Sequence, residues 1–151
     1  MKTNSFAFSD IGLKRHKNED AYRIVKGLGV YLVCDGMGGH AAGEVASSLA
    51  AHAVIDYLRE HESEIRNARN KPAGYFRLTH LLSDAVNYAC QIVYGKACST
   101  REMAGMGTTL TMLLIVNDHA IMAHVGDSRL YLYRQGDCTT SASTTRCSTR
   151  C

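Results

Sequence analysis

The stretch Tyr31-Leu-Val-Cys-Asp-Gly-Met-Gly-Gly-His-Ala-Ala-Gly-Glu-Val-Ala-Ser47 decides the fold. Its apolar opening predicts a buried strand that ends at Asp35, and a helical pattern starts near Ala41. A carboxylate at the end of a buried strand is costly unless something positive meets it. Gly36, Gly38 and Gly39 follow, so the backbone there can approach a ligand closely. His40 comes next, where a proton donor could face that ligand. Asp35 therefore reads as a metal ligand and the turn as the floor of a phosphate-handling site. The plainer alternative is a strand-turn-helix connection with a capping aspartate.

Outward from this stretch, closely spaced β segments precede it. Ser5–Ser9 alternates apolar and polar residues and is expected as a strand. Asp10–Asp20 is a polar loop carrying Arg15, Glu19 and Asp20, and could be no more than a solvated turn. Ala21–Val25 is short and β-compatible, Lys26-Gly27 marks a turn, and Val30–Cys34 follows, which suggests antiparallel pairing.

Beyond the stretch, the pattern is helical to about Arg66. Val45, Leu49, Ala53 and Tyr57 recur at spacings of four, with Ala46, Ala50 and Val54 beside them. A loop with the chain's only proline, Pro72, separates this from a second helix over Tyr75–Ala97, whose apolar face is Leu78, Leu82, Ala85, Ala89 and Ile92. His52, His61 and His80 lie on these helices and are read as structural. The β-rich run Gly107–Val116, the turn signal Asn117-Asp118, the strand His119–Val125, the loop Gly126–Arg129 and Leu130–Tyr133 complete the pattern. Strands, two helices, then strands argue for an α+β fold with an antiparallel sheet under the helices.

Composition sets the outer bounds. The 151 residues, 46% hydrophobic, suffice for one domain with a sizeable core. The net charge of +3 has no basic run behind it, so nucleic acid is not implied. The first twenty residues carry no long apolar segment, so no membrane partner and a cytoplasmic location are expected. Of six cysteines, Cys34, Cys90 and Cys98 read as reduced core or near-core thiols, and Cys138, Cys147 and Cys151 crowd the end. No C-x-x-C pair exists, which argues against a zinc site.

Three aspartates, Asp20, Asp35 and Asp127, sit at strand ends or in tight polar loops, and hard divalent ions prefer such oxygens. Arg15 adds a planar cation that can grip a phosphate. These residues could converge at one end of the sheet, which makes a workable set for phosphoester hydrolysis.

Four segments carry a resemblance: Asp10–Ala21, Val33–Ser47, Met106-Gly-Thr-Thr109 and His124-Val-Gly-Asp-Ser-Arg-Leu-Tyr131. In this order they resemble the metal-dependent serine/threonine protein phosphatases of type 2C, the PPM family, in its bacterial form. The resemblance implies a four-layer α-β-β-α sandwich of antiparallel sheets flanked by helix pairs. It implies two Mn²⁺ or Mg²⁺ ions, with a third, weaker site. Asp20, Asp35 and the Gly36 carbonyl are then metal ligands, Glu19 a direct or supporting partner, and Asp127 a ligand of the third ion. Arg15 matches the phosphate-binding arginine and His40 the general acid. The implied nucleophile is a metal-activated water, the substrates are phosphoproteins opposed to a serine/threonine kinase, and a monomer is expected.

After Gly136 the family's pattern stops. The Asp-His-Ser, Ser-Asp-Gly and Asp-Asn segments that the family carries further on are not in these 151 residues. The chain divides into an N-terminal phosphatase part, 1–136, and a tail, 137–151, expected to be non-native and without regular structure. Read two nucleotides later, codons compatible with this tail spell Leu-His-His-Leu-Ser-Leu-Asp-His-Ser-Leu-Phe-Asn-Glu-Val, so the tail is expected to be a frameshift product. Two other functions stay open: a non-catalytic fragment, and a nucleotide-binding module in which Gly36–Ala41 supplies G-x-G-x-x-A after a strand. Asp35 beside that loop would repel a pyrophosphate.

Overall fold

The computed structural model describes residues 3–38, 42–69 and 74–140. Its elements run in the order β1 (Asp20–Val25), β2 (Val30–Met37), α1 (Ala42–Glu60), α2 (Glu62–Arg69), α3 (Tyr75–Ser99), a short 3₁₀ turn, β3 (Gly107–Thr108), β4 (Leu110–Val116), β5 (His119–Val125), β6 (Tyr131–Arg134) and β7 (Asp137–Thr140). The main sheet has the order β1-β2-β4-β5, with β3 paired to the end of β2, and a separate hairpin joins β6 to β7. Every strand pair among the described residues is antiparallel. The fold is thus the expected α+β arrangement, and the dinucleotide-binding reading of Gly36–Ala41 falls away, because that motif works in a parallel βαβ unit.

Alternation along β2 divides the sheet. Val30, Leu32 and Cys34 are buried, while Val33 and Asp35 are exposed on the other face. On β4, Met112, Leu114 and Val116 join the buried face, and α1 and α3 pack over it. Of the expected α1 pattern, Ala46, Ala50, Ala53 and Val54 are buried, joined by Ala42, Ala51, Ile55 and Leu58. Alanines let the helix lie close to the sheet, and the larger Val45, Leu49 and Tyr57 pack partly buried at its flanks. On α3 the face is Leu78, Leu81, Leu82, Ala85, Val86, Ala89 and Val93.

Other expectations are corrected. Residues 5–9 form no strand; Phe6 and Phe8 point outward, and no neighbouring strand supplies a ladder. The first helix breaks at His61, whose ring nitrogen lies 2.8 Å from the Tyr57 carbonyl. Cys90 and Cys98 are exposed rather than near the core, because they fall off the buried stripe of α3; Cys34 is buried as expected. The tail, expected to be irregular from Asp137, begins instead with β7. Gln135 and Gly136 both have positive φ and form the two-residue turn that joins paired strands. Among the described residues, no helix is long and apolar enough to cross a membrane.

Candidate active site

The site is assembled by register. β1 and β2 pair so that Asp20 stands directly opposite Asp35. Cross-strand partners point to the same face, so both carboxylates lie on the face away from the helices. Burial and the neighbouring Asp20 charge raise the Asp35 carboxyl above its ordinary value; Arg15 offsets this in part, and Asp127 adds to the rise. Asp20, Arg15 and Asp127 are therefore each within electrostatic reach of Asp35. A cavity of ≈ 470 Å³ opens beside them, lined by Phe6, Phe8, Asp20, Asp35 and Ser128 among others.

The backbone of Asp35 is fixed on both sides. Its N–H donates to Thr109 Oγ1 at 2.9 Å, and its carbonyl accepts from the Thr109 N–H at 2.9 Å and from Thr108 Oγ1 at 3.0 Å. The next N–H, of Gly36, donates to the Glu19 carbonyl at 3.0 Å, which carries the β1–β2 pairing one step beyond Asp20. A Cβ at Gly36 would run into the carbonyl oxygen of Gly43 and come within 2.7 Å of the Glu19 carbonyl. Glycine is required there because strand, loop and the start of α1 meet. At Gly43 a Cβ would stand 2.6 Å from Glu19 Oε1, so a side chain there would displace the Glu19 carboxylate.

Glu19 is largely shielded, and its Oε2 lies 3.5 Å from Arg15 Nη1, while Arg15 itself is 61% exposed. The guanidinium is thus held on one side and open to solvent on the other. Asp20 is oriented through its N–H, which donates to Asn18 Oδ1 at 3.0 Å, and Asn18 in turn donates to Ser9 Oγ at 2.8 Å. His40 lies outside the described residues. Sequence reasoning gave no role to Thr109 and Ser128, whose hydroxyls are 2.8 Å apart and link Asp35 to the Asp127 loop. Their only signal was membership of the quoted segments Met106–Thr109 and His124–Tyr131.

Among the described residues, no cluster of three or more His, Cys, Asp or Glu side chains is tight enough to hold an ion by itself. The pair Asp20–Asp35 nonetheless fits a hard cation. Both donors are carboxylate oxygens, and their mutual repulsion is what a positive charge would relieve.

The family model for protein phosphatase 2C matches residues 14–147, past Gly136 and into the tail. The serine/threonine protein phosphatase PstP of Mycobacterium tuberculosis is 38% identical over 133 residues, which is 88% of this chain and 23% of PstP. The protein phosphatase PhpP of Streptococcus pneumoniae is 32% identical over 134 residues, 83% of this chain and 48% of PhpP. The crystal structure of the PstP catalytic domain in complex with two manganese ions superposes with a TM-score of 0.71 at 37% identity, covering 89% of this chain and 53% of that one. The chain thus spans about half the length of PhpP and of the solved domain, and less of full-length PstP.

Proposed function

This chain belongs to the protein phosphatase 2C family, and on that footing we propose that it carries the N-terminal part of a metal-dependent phosphoserine/phosphothreonine phosphatase site. The observation that supports this best is Asp20 opposite Asp35 on adjacent strands, with Arg15 and Asp127 in electrostatic reach.

In this reading Asp20, Asp35 and the Gly36 carbonyl hold Mn²⁺ or Mg²⁺, Asp127 serves a third ion, and Glu19 supports the set. When bound, divalent ions at such a site supply Lewis-acid activation of a water for attack on phosphorus. The chain's own residues do the rest. Arg15, anchored by Glu19 and open to solvent, grips two phosphoryl oxygens and offsets the charge that builds up on them. Thr108 and Thr109 fix the Asp35 backbone, so the carboxylate does not swing as charge moves. His40 gives its proton to the departing serine or threonine oxygen.

The substrates are phosphoproteins, and a cytoplasmic monomer opposed to a serine/threonine kinase is the proposed setting. The resemblance places further carboxylate ligands in Ser-Asp-Gly and Asp-Asn segments that these 151 residues lack. Turnover by this polypeptide alone is therefore proposed to be low, with a purely binding role as the alternative. The tail is still proposed to be out of frame, on its composition of Ser, Thr, Arg and Cys, and the nucleotide sequence across codons 134–151 tests that.

The functional test is Mn²⁺-dependent phosphate release from a phosphothreonine peptide by a version extended to the length of the relatives. Asp35→Asn is expected to abolish it. Undiminished release in that variant would remove Asp35 from the site.

A further inference from the structure

We propose that Thr111 and His124 are a buried positioning pair that sets where the Asp127 carboxylate stands relative to Asp35. The inference rests on the phosphatase reading of the carboxylates, but it concerns two residues that this reading leaves without a task.

Thr111 on β4 and His124 on β5 are register partners, and each is only 5% exposed. They share a sheet face with Val33, the β2 partner of Thr111, and so with Asp35 two residues further on. Thr111 Oγ1 lies 2.8 Å from His124 Nδ1, and His124 Nε2 lies 3.0 Å from the Gly126 carbonyl oxygen. A carbonyl can only accept, so the Nε2 proton points to Gly126. With a single ring proton, Nδ1 is then an acceptor, and the Thr111 hydroxyl donates to it. The hydroxyl therefore selects the tautomer that holds Gly126.

Gly126 precedes Asp127, and Ser128 follows it. Ser128 Oγ is tied to Thr109 Oγ1 at 2.8 Å, and Thr109 Oγ1 accepts the Asp35 N–H. Both neighbours of Asp127 are thus fixed, one through the imidazole and one through the hydroxyl pair. Gly126 also has φ +107°, and a Cβ there would stand 2.6 Å from the Thr109 side chain, so the turn is pressed against Thr109, just before β4. Removing the Thr111 hydroxyl leaves a buried ring nitrogen without its donor. The ring is then free to turn, and the Gly126 tie loosens first.

Two substitutions separate positioning from packing. Thr111→Val keeps the shape and loses the hydroxyl; Thr111→Ser keeps the hydroxyl and loses a methyl. In the metal-free 151-residue chain, amide hydrogen exchange read by NMR is expected to speed up several-fold at Asp127 and Ser128 in Thr111→Val. Exchange in the rest of β4 stays unchanged, and Thr111→Ser matches the parent. In versions extended to the length of the relatives, titration with Mn²⁺ alone, followed by electron paramagnetic resonance, is expected to show roughly ten-fold weaker binding for Thr111→Val only. The proposal is overturned if Thr111→Val exchanges like the parent, or if Thr111→Ser is the worse of the two. An extended parent that binds no Mn²⁺ at all would count against the carboxylate reading instead, and the exchange measurement in the 151-residue chain would still decide the pair.

Discussion

Cys34 and Asp35 are neighbours on β2 and face opposite sides of one sheet. Cys34 lies under α1, where burial pushes its thiol up to about 12. Asp35 is exposed, yet its carboxyl is also raised, by partial burial and by Asp20 across the strand pair. On the helix side a titratable group is kept neutral and does nothing but fill space. On the other side the fold accepts repulsion between carboxylates that it could have avoided with a different residue. The helix-covered face carries the stability, and the opposite face spends some of it on a charged arrangement suited to a cation. On that second face Tyr22 and Val33 are exposed, 41% and 47%, while the polar pair Thr111 and His124 is buried.

The comparison breaks most visibly if adjacent residues on the two faces contribute equally. Leu32, 3% exposed beneath the helices, is expected to cost about 2–5 kcal/mol as Leu32→Ala. Its neighbour Val33 is expected to cost only about 0.5 kcal/mol as Val33→Ala. Urea melts of the two variants check this, and similar midpoints would mean that something packs on the open face as firmly as the helices do on theirs.

A smaller effect is expected where the two faces meet. At Gly36 a methyl group would strike the Gly43 carbonyl and crowd that of Glu19, all backbone atoms that cannot rotate away. Gly36→Ala is expected to destabilise by about 1–3 kcal/mol. Because the shift moves Glu19, it should also release Arg15 and weaken phosphate-analogue binding in the extended enzyme. A variant that loses stability but keeps such binding would separate the two faces more sharply than the geometry does.

Much of the helix-side architecture was legible because it repeats. Period-four spacing on the helices reports one buried face, and the β-compatible runs Ala21–Val25 and His119–Val125 were read as the strands they form, the first starting one residue earlier at Asp20. The details that failed depend on partners far away in the chain. Ser5–Ser9 has the alternation of a strand but no ladder, since a strand needs a neighbour that its own sequence does not specify. On α1 the pattern picked out the buried Ala46, Ala50, Ala53 and Val54, but Val45, Leu49 and Tyr57 sit only partly buried at the flanks, because close approach of small alanines outweighed their size. At the site, the carboxylates and Arg15 could be picked out from residue type and from the family resemblance. The Thr111–His124 pair could not, because it is set by register between β4 and β5, and neither could the Thr109–Ser128 link, which joins two positions outside the strands and far apart in the chain.

The smallest expected effect tests the cost of the open face directly, through Asp35→Asn in the metal-free chain. The Asp35 carboxyl is raised above its ordinary value in the folded state, so the fold binds that proton more tightly than the unfolded chain does. Its contribution to stability is fully present below the ordinary carboxylate range. It declines as the pH rises through that range toward the raised value and stays lost above it. Asparagine cannot ionise, so the variant escapes the decline. Thermal midpoints of parent and variant should therefore lie close together in acid, and diverge in favour of Asp35→Asn as the pH rises. At neutral pH the gap should be constant. Mn²⁺ should then reverse the order at neutral pH, since a ligand that binds only the native parent stabilises the parent alone. A variant less stable than the parent at neutral pH without metal would mean that Asp35 is held by favourable contacts, and that the face it occupies is not strained by its charge.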